Sequence, residues 1–223
     1  MQTPTLGEAR FPSPIGHQVS DDIRIPERIV PGADPGLLFE LAGPREKLFF
    51  NPKETMAGIV TCGGLCPGLN NVIRSLFFQL YYGYGVTEVF GFRGGYGGLD
   101  PSTGAFPLKL TPGYVDGIHR LGGTILGTSR GPVDVGKAVD HLIYRGIHIL
   151  FTIGGDGTQR GANELYQEAC RRGHALSVVG IPKTIDNDVP FVSHTFGFQS
   201  AVEEAVRVID CAHTEAHSTQ GGI

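Results

Sequence analysis

Three glycine-rich or carboxylate-rich motifs, each closing a short apolar run and each followed by a helical stretch, constrain this chain more than any other feature. Residues 57–61 (AGIVT) run straight into CGGLCPG. A stretch from 69 to about 82 follows, in which Val72, Ile73, Leu76, Phe77 and Leu80 recur at helical spacing. Pro67 suits the first turn of that helix. Residues 148–153 (HILFTI) form a buried-type strand ending in GGDGT, with a helix expected over 160–172 and Gly173 as its stop. Residues 176–181 form a strand ending in PKTIDND, and a long helix is expected over 200–217. Between these lie a strand over 86–92, the loop RGGYGG, and helices over 111–121 and 133–144.

Strands and helices in strict turn predict an α/β fold: an open, mostly parallel sheet with helices on both faces. Ligands of such sheets sit beyond the carboxyl ends of the strands. The three motifs all lie there, so they are expected to converge on one crevice. Residues 1–54 break the pattern. They are Pro-rich and weakly periodic, and read as an extended arm with one short strand near 47–50. The division expected is an N-terminal extension over 1–54, a nucleotide-binding α/β domain over 55–197, and the start of a further domain over 198–223.

Composition serves this reading in one respect. Glycine supplies 34 of 223 residues, about twice the usual share of roughly 7%. Most of these glycines punctuate apolar runs, as tight strand-to-helix turns near a ligand require. A net charge of −4 gives no basic surface for nucleic acid or an anionic membrane. No apolar run is long enough to span a bilayer, and the N-terminus lacks the basic start and apolar stretch of a signal peptide. Cys62, Cys66, Cys170 and Cys211 are therefore read as reduced cytosolic thiols.

Each motif suits one part of a phosphate-and-magnesium site. In TCGGLCPGLN (61–70), Gly63 and Gly64 leave backbone amides open to an anion, and the helix behind adds its positive dipole end. Plain tight turning explains the glycines equally well. In IGGDGT (153–158), Asp156 suits a hydrated Mg²⁺ that bridges phosphate oxygens, while Gly155, Gly157 and Thr158 offer amides and a hydroxyl. The alternative is a common Asp-Gly turn. In IPKTIDND (181–188), Asp186 and Asp188, interleaved with Thr184 and Asn187, make a compact polar cluster able to take a proton from an attacking hydroxyl. A loop of turn-formers is the alternative. Arg130, in GTSRG, either clamps phosphates or is solvated. Tyr96, in GGYGG, either lies against a nucleotide base or ribose, or caps the core. His213 and His217 lack the Glu placement of a zincin helix, since Thr214 follows His213. Cys62 and Cys66 have no second pair at zinc-ligand spacing.

Taken in order, TCGGLCPGLN, GFRGGYGGL, GGTILGTSRG, IGGDGT and PKTIDND resemble the 6-phosphofructokinase family over roughly residues 47–223, and the arm resembles the N-terminal extension of its longer, ATP-dependent members. The resemblance implies transfer of a phosphoryl group from a nucleotide to the 1-hydroxyl of fructose 6-phosphate, a step of glycolysis. It implies Asp186 as general base, with Thr184, Asp188 and Lys183 completing the catalytic set. Thr184, Ile185 and Asp186 would border the sugar phosphate. Gly64, Tyr96, Arg130, Gly131, Gly155, Asp156, Gly157 and Thr158 would hold ATP, and Asp156 the Mg²⁺. A cytoplasmic homo-oligomer, dimer or tetramer at full length, is also implied, with no nucleic-acid or membrane partner.

Gly157 bears on the phosphoryl donor. Family members that use ATP carry glycine there, whereas pyrophosphate users typically carry Asp. Lys183 points the other way, but the long-armed ATP-using branch combines that glycine with this lysine, so ATP is expected. A pyrophosphate-dependent enzyme and a non-catalytic nucleotide-binding module are the alternatives; a lipid or NAD kinase leaves PKTIDND unexplained. The resemblance also implies that the Met-Gly-Arg segment, a downstream Glu and the 6-phosphate ligands lie beyond Ile223. A sheet edge and apolar helix faces are then expected to be uncovered, with little or no turnover by these 223 residues alone.

Overall fold

Strand pairing begins in the arm. In the computed structural model, which describes residues 6–15, 43–189 and 192–219, β1 (Phe11–Pro12) pairs antiparallel with β2 (Lys47–Leu48). The strand expected near 47–50 is β2; its partner β1 carries no periodic signal. Most of the expected extension, 1–5 and 16–42, lies outside the described residues. Phe49 and Phe50 meet edge to face at 4.9 Å, and Phe50 rests 5.4 Å from the His148 ring, which fixes the arm to the domain.

The domain proper starts with β3 (Met56–Thr61), α1 (Leu69–Phe78) and β4 (Glu88–Phe92). The short β5 (Leu108–Lys109), α2 (Pro112–Val115) and α3 (Val135–Tyr144) follow. Then come β6 (Ile149–Gly154), α4 (Asp156–Arg171), β7 (Ser177–Pro182) and α5 (Phe198–Ser218). The sheet order is β5-β4-β3-β6-β7. β3 pairs parallel with β4 on one side and β6 on the other, β6 pairs parallel with β7, and only β5 runs antiparallel, at the edge. The chain moves outward from β3 to β4 and then crosses to β6. The topological switch therefore lies between β3 and β6, and a crevice opens there at the strand C-termini.

The period-2 alternation of β3 assigns the two faces. Ala57 and Ile59 pack with Leu69, Ile73 and Phe77 of α1. Val60 packs the other way, with Phe92, Leu150, Ala138, Val139 and Leu142 of α3, and Leu165 and Ala169 of α4. Each fully buried Leu or Ile here contributes roughly 1.5–3 kcal/mol of transfer free energy. Helices thus cover both faces, as expected. Gly58 is required by this packing, since a Cβ there would sit 2.7 Å from Phe92 Cε2.

Several expected elements are corrected. Pro67 lies outside α1, whose N-cap is Gly68 in the left-handed region at φ 92°. α1 ends at Phe78, and the segment Gln79–Tyr84 winds as a π-helical turn up to Gly85. The helix expected over 111–121 is only α2 plus a 3-10 turn, Ile118–Arg120. Gly113 and Gly117 dilute its propensity, and Val115 and Ile118 are the only two of its residues that are buried. α3 starts at Val135 because Asp134 caps it, its Oδ1 accepting from the Lys137 amide at 3.1 Å. α4 starts at Asp156, four residues earlier than expected, so most of GGDGT is helix rather than loop. Among the described residues no helix is long and apolar enough to cross a membrane.

Candidate functional site

The C-terminal ends of β3, β6 and β7 open on a cleft of about 500 Å³. The residues that the resemblance assigns to the site line it: Gly64 from the first motif, Arg130 and Gly131 from the loop opposite, Gly155, Asp156, Gly157 and Thr158 from the second, and Lys183, Thr184, Ile185, Asp186 and Asp188 from the third, with Tyr96 at the floor; Asn187, also in the third motif, does not.

The glycine turn after β3 is tied down more firmly than an open amide cradle. Gly63 is left-handed at φ 78°, its amide donates to Ser129 O at 3.1 Å, and its carbonyl accepts from Thr128 Oγ1 at 2.7 Å. The expectation that Gly63 offers its amide to an anion is corrected by that bond. The Gly64 amide has no protein acceptor among the described residues. A Cβ on Gly64 would lie 3.4 Å from Arg130 Nη2, so glycine keeps room beside the guanidinium.

α4 supplies the opposite wall. No side chain caps its N-terminus at Gly155. Its first-turn amides therefore face the cleft with the positive end of a helix of 16 residues behind them. Asp156 occupies that first turn and is exposed to the cleft. A Cβ on Gly157 would meet nothing within 4 Å, so a larger residue there would project into open space. Thr158 is buried in the cleft wall beside the Cys62 thiol. Burial pushes that thiol up to about 11, against the opposing pull of the Tyr96 amide, Thr158 and Lys183.

Lys183 joins the three motifs. Its amide donates to Gly154 O at 3.0 Å, and its buried Nζ donates to Gly64 O at 2.6 Å. Burial holds its ammonium below the ordinary lysine value, with Cys66 and Cys62 opposing and Arg130 adding to the depression. Beyond it the loop is self-organised. Thr184 Oγ1 donates to Asp188 Oδ1 at 2.6 Å and accepts from the Asp186 amide at 3.1 Å. Asn187 adopts φ 55°, the only non-glycine residue in the left-handed region among those described. Its Oδ1 accepts from the Thr195 amide at 2.8 Å, and Thr195 Oγ1 donates to Thr184 O at 3.2 Å. Asp186 is left exposed at the cleft with its carboxylate free of these bonds.

Three supporting residues escaped the sequence reading. Asn70, buried in α1, pins the 121–125 loop by donating to Leu121 O at 3.0 Å and accepting from the Ile125 amide at 2.8 Å. Cys66 donates to Phe196 O at 3.0 Å, joining the glycine turn to the entrance of α5. Thr195 carries no motif signal at all. Asn70 did close the first motif, and a buried Asn at a helix start was the available clue.

The residues fit a nucleotide with Mg²⁺: a lone carboxylate beside helix amides suits a hard cation that keeps water and phosphate ligands. Among the described residues no group of three or more His, Cys, Asp or Glu gathers as a protein-only metal site. The His213 and His217 rings, 4.3 Å apart, stand on the exposed α5, and Cys62 and Cys66 are free thiols.

Residues 56–222 match the family model described as Phosphofructokinase. The chain is 54% identical over 187 residues to a Trypanosoma cruzi protein named ATP-dependent 6-phosphofructokinase, covering 84% of this chain and 39% of that protein. It is 50% identical over 207 residues to ATP-dependent 6-phosphofructokinase 7 of Arabidopsis thaliana, covering 92% and 42%. Among solved structures, the T-state phosphofructokinase of Pichia pastoris superposes with a TM-score of 0.62 at 28% identity, over 71% of this chain and 18% of that one. The chain thus spans about two fifths of the curated relatives it matches.

Proposed function

The chain belongs to the phosphofructokinase family, and on that premise we propose that the protein transfers the γ-phosphoryl group of ATP to the 1-hydroxyl of fructose 6-phosphate, yielding fructose 1,6-bisphosphate and ADP. The observation that carries the reading is the convergence of the glycine turn, Arg130, the α4 N-terminus and the Asp186 loop on one cleft. In that cleft Gly64, Arg130, Gly131 and residues 155–158 hold the donor's phosphates, through amides and a guanidinium. Asp156 holds Mg²⁺, which would neutralise charge on the phosphates. Asp186 takes the proton of the attacking hydroxyl. Thr184 and Asp188 hold the loop in shape, and Thr184 and Ile185 border the sugar phosphate. Lys183 stands under the glycine turn and fixes its distance from the base. Tyr96 contributes its ring to the floor.

Gly157 supports ATP as donor, because an acidic side chain there would project into the space the cleft leaves open. The relatives named above as ATP-dependent support the same choice. Pyrophosphate is the second reading, favoured only by the lysine at 183. The division into an arm, a nucleotide domain and the start of a sugar-phosphate domain, the cytoplasmic location and the homo-oligomeric state belong to the same proposal. The full-length polypeptide, assayed for fructose 1,6-bisphosphate with Mg²⁺ and either donor, tests it. Turnover is expected with ATP and is expected to vanish in Asp186→Ala with nucleotide binding retained. Turnover with pyrophosphate and none with ATP would reverse the donor assignment.

A further inference from the structure

Tyr96 is 6% exposed, too deep to present its ring face to a ligand. Its hydroxyl donates to Thr158 O at 2.6 Å. Burial raises this phenol well above the ordinary tyrosine value, so it stays a donor at any physiological pH. Its ring edge abuts α4 one turn later: a Cβ on Gly161 would sit 2.7 Å from Tyr96 Cε2. The residue before it faces the other wall, since a Cβ on Gly95 would lie 2.5 Å from Ser129 Oγ and 2.8 Å from its amide nitrogen. Ser129 adjoins Arg130, and Thr158 lies two residues after Asp156. One short turn, Gly95–Leu99, therefore touches the backbone behind both charged walls of the cleft.

We propose that Tyr96 is a positioning residue, not a nucleotide contact: wedged by its hydroxyl and ring against the first turns of α4, while its neighbour Gly95 abuts Ser129, it sets the separation of Arg130 from Asp156 and so the fit of the metal-bound phosphates. This deepens the phosphoryl-transfer reading and rests on it. Glycine at 161 is part of the device, because any side chain there would push the ring off its seat.

Tyr96→Phe keeps the wedge and removes the bond to Thr158. In the full-length enzyme it is expected to raise KM for MgATP about five- to tenfold, the worth of one buried hydrogen bond. KM for fructose 6-phosphate is expected to stay unchanged, and the Mg²⁺ requirement to rise. Gly161→Ala acts in the same direction and more strongly. ATP and GTP are expected to suffer alike, because a positioning residue does not read the base. A changed ATP-to-GTP preference in Tyr96→Phe would overturn the proposal in favour of direct base contact. A lowered Tm with unchanged KM for MgATP would overturn it in favour of simple core packing. If the wild-type protein used no nucleotide, the functional reading would fall separately. The wedge would then be judged by hydrogen exchange alone: amides 157–161 are expected to exchange faster in Tyr96→Phe, and equal rates would refute it.

Discussion

Two successive units of this chain are built alike and end up in opposite surroundings. β6, GGDGT and α4 form one; β7, PKTIDND and α5 form the other. β6 is flanked by β3 and β7, and α4 buries Thr158, Gly161, Ala162, Leu165 and Ala169. β7 is an edge strand with Val179 and Gly180 exposed, and α5 runs for 21 residues with none buried. Its Val206, Val208 and Ile209 are all more than half exposed. The same grammar thus gives a rigid wall in one place and an uncovered helix in the other. The proposed donor wall of the cleft is held from behind by Tyr96, Lys183 and the 128–129 loop. Among the described residues, the PKTIDND loop is held by its own hydrogen bonds and by bonds with Gly154, Ser193, Thr195 and Cys66. The proposed donor wall is therefore set within this part of the fold, whereas the loop proposed to carry the base leaves its outer surface open. Among the described residues, the sheet edge at β7 and the apolar positions of α5 are uncovered, as expected from the sequence.

The sharpest way to separate the two units is to remove the chemistry from the second. Asp186→Ala in the full-length enzyme is expected to lower kcat about a thousandfold, within the usual range for a positioned base, and to leave the Kd for MgATP unchanged by calorimetry. Stability breaks the comparison differently. In the 223-residue chain, Leu165→Ala on α4 is expected to cost about 2–5 kcal/mol by urea titration, since Leu165 is fully buried. Ile209→Ala on α5 is expected to fall within about 0.5 kcal/mol of wild type. Equal losses would mean that α5 is covered in solution.

Smaller effects probe the loop and the arm. Thr195→Val removes the hydroxyl that donates to Thr184 O and is expected to cost about 1 kcal/mol. It should raise KM for the sugar phosphate more than KM for MgATP. His148 Nδ1 accepts from the Met56 amide at 3.0 Å, a role only the neutral ring fills. Burial, then the His174 imidazole, hold its pKa below the ordinary value, with Glu54 opposing. The unfolded chain therefore takes up its proton first. Stability fully present above about pH 6.5 is lost as pH falls toward the folded pKa. The urea midpoint should drop between pH 7.5 and 5.5, and His148→Asn should flatten that slope.

The comparison also explains what the sequence made legible. Periodic apolar runs disclosed the strands and the large helices, because burial on one face writes a pattern into the residues. The three motifs disclosed the cleft, because tight turns at strand ends need glycine and short polar residues. The start of α4 was hidden, since glycines at 154, 155 and 157 read as loop while the helix uses them to bring its bare amides to the cleft. Thr195 was hidden for a different reason. Its partners, Asn187 and Thr184, lie 8 and 11 residues away and follow no period. Tyr96 was visible as a residue of interest; packing adds that its hydroxyl donates to Thr158 O and that its ring joins the core at the cleft floor.

The central claim is that the donor side of the site is complete within these residues. Titration calorimetry of the 223-residue chain with MgATP, and separately with fructose 6-phosphate, tests it most directly. Saturable MgATP binding that is lost in Asp156→Ala is expected, with no saturable binding of the sugar phosphate. Sugar-phosphate binding without nucleotide binding would contradict it.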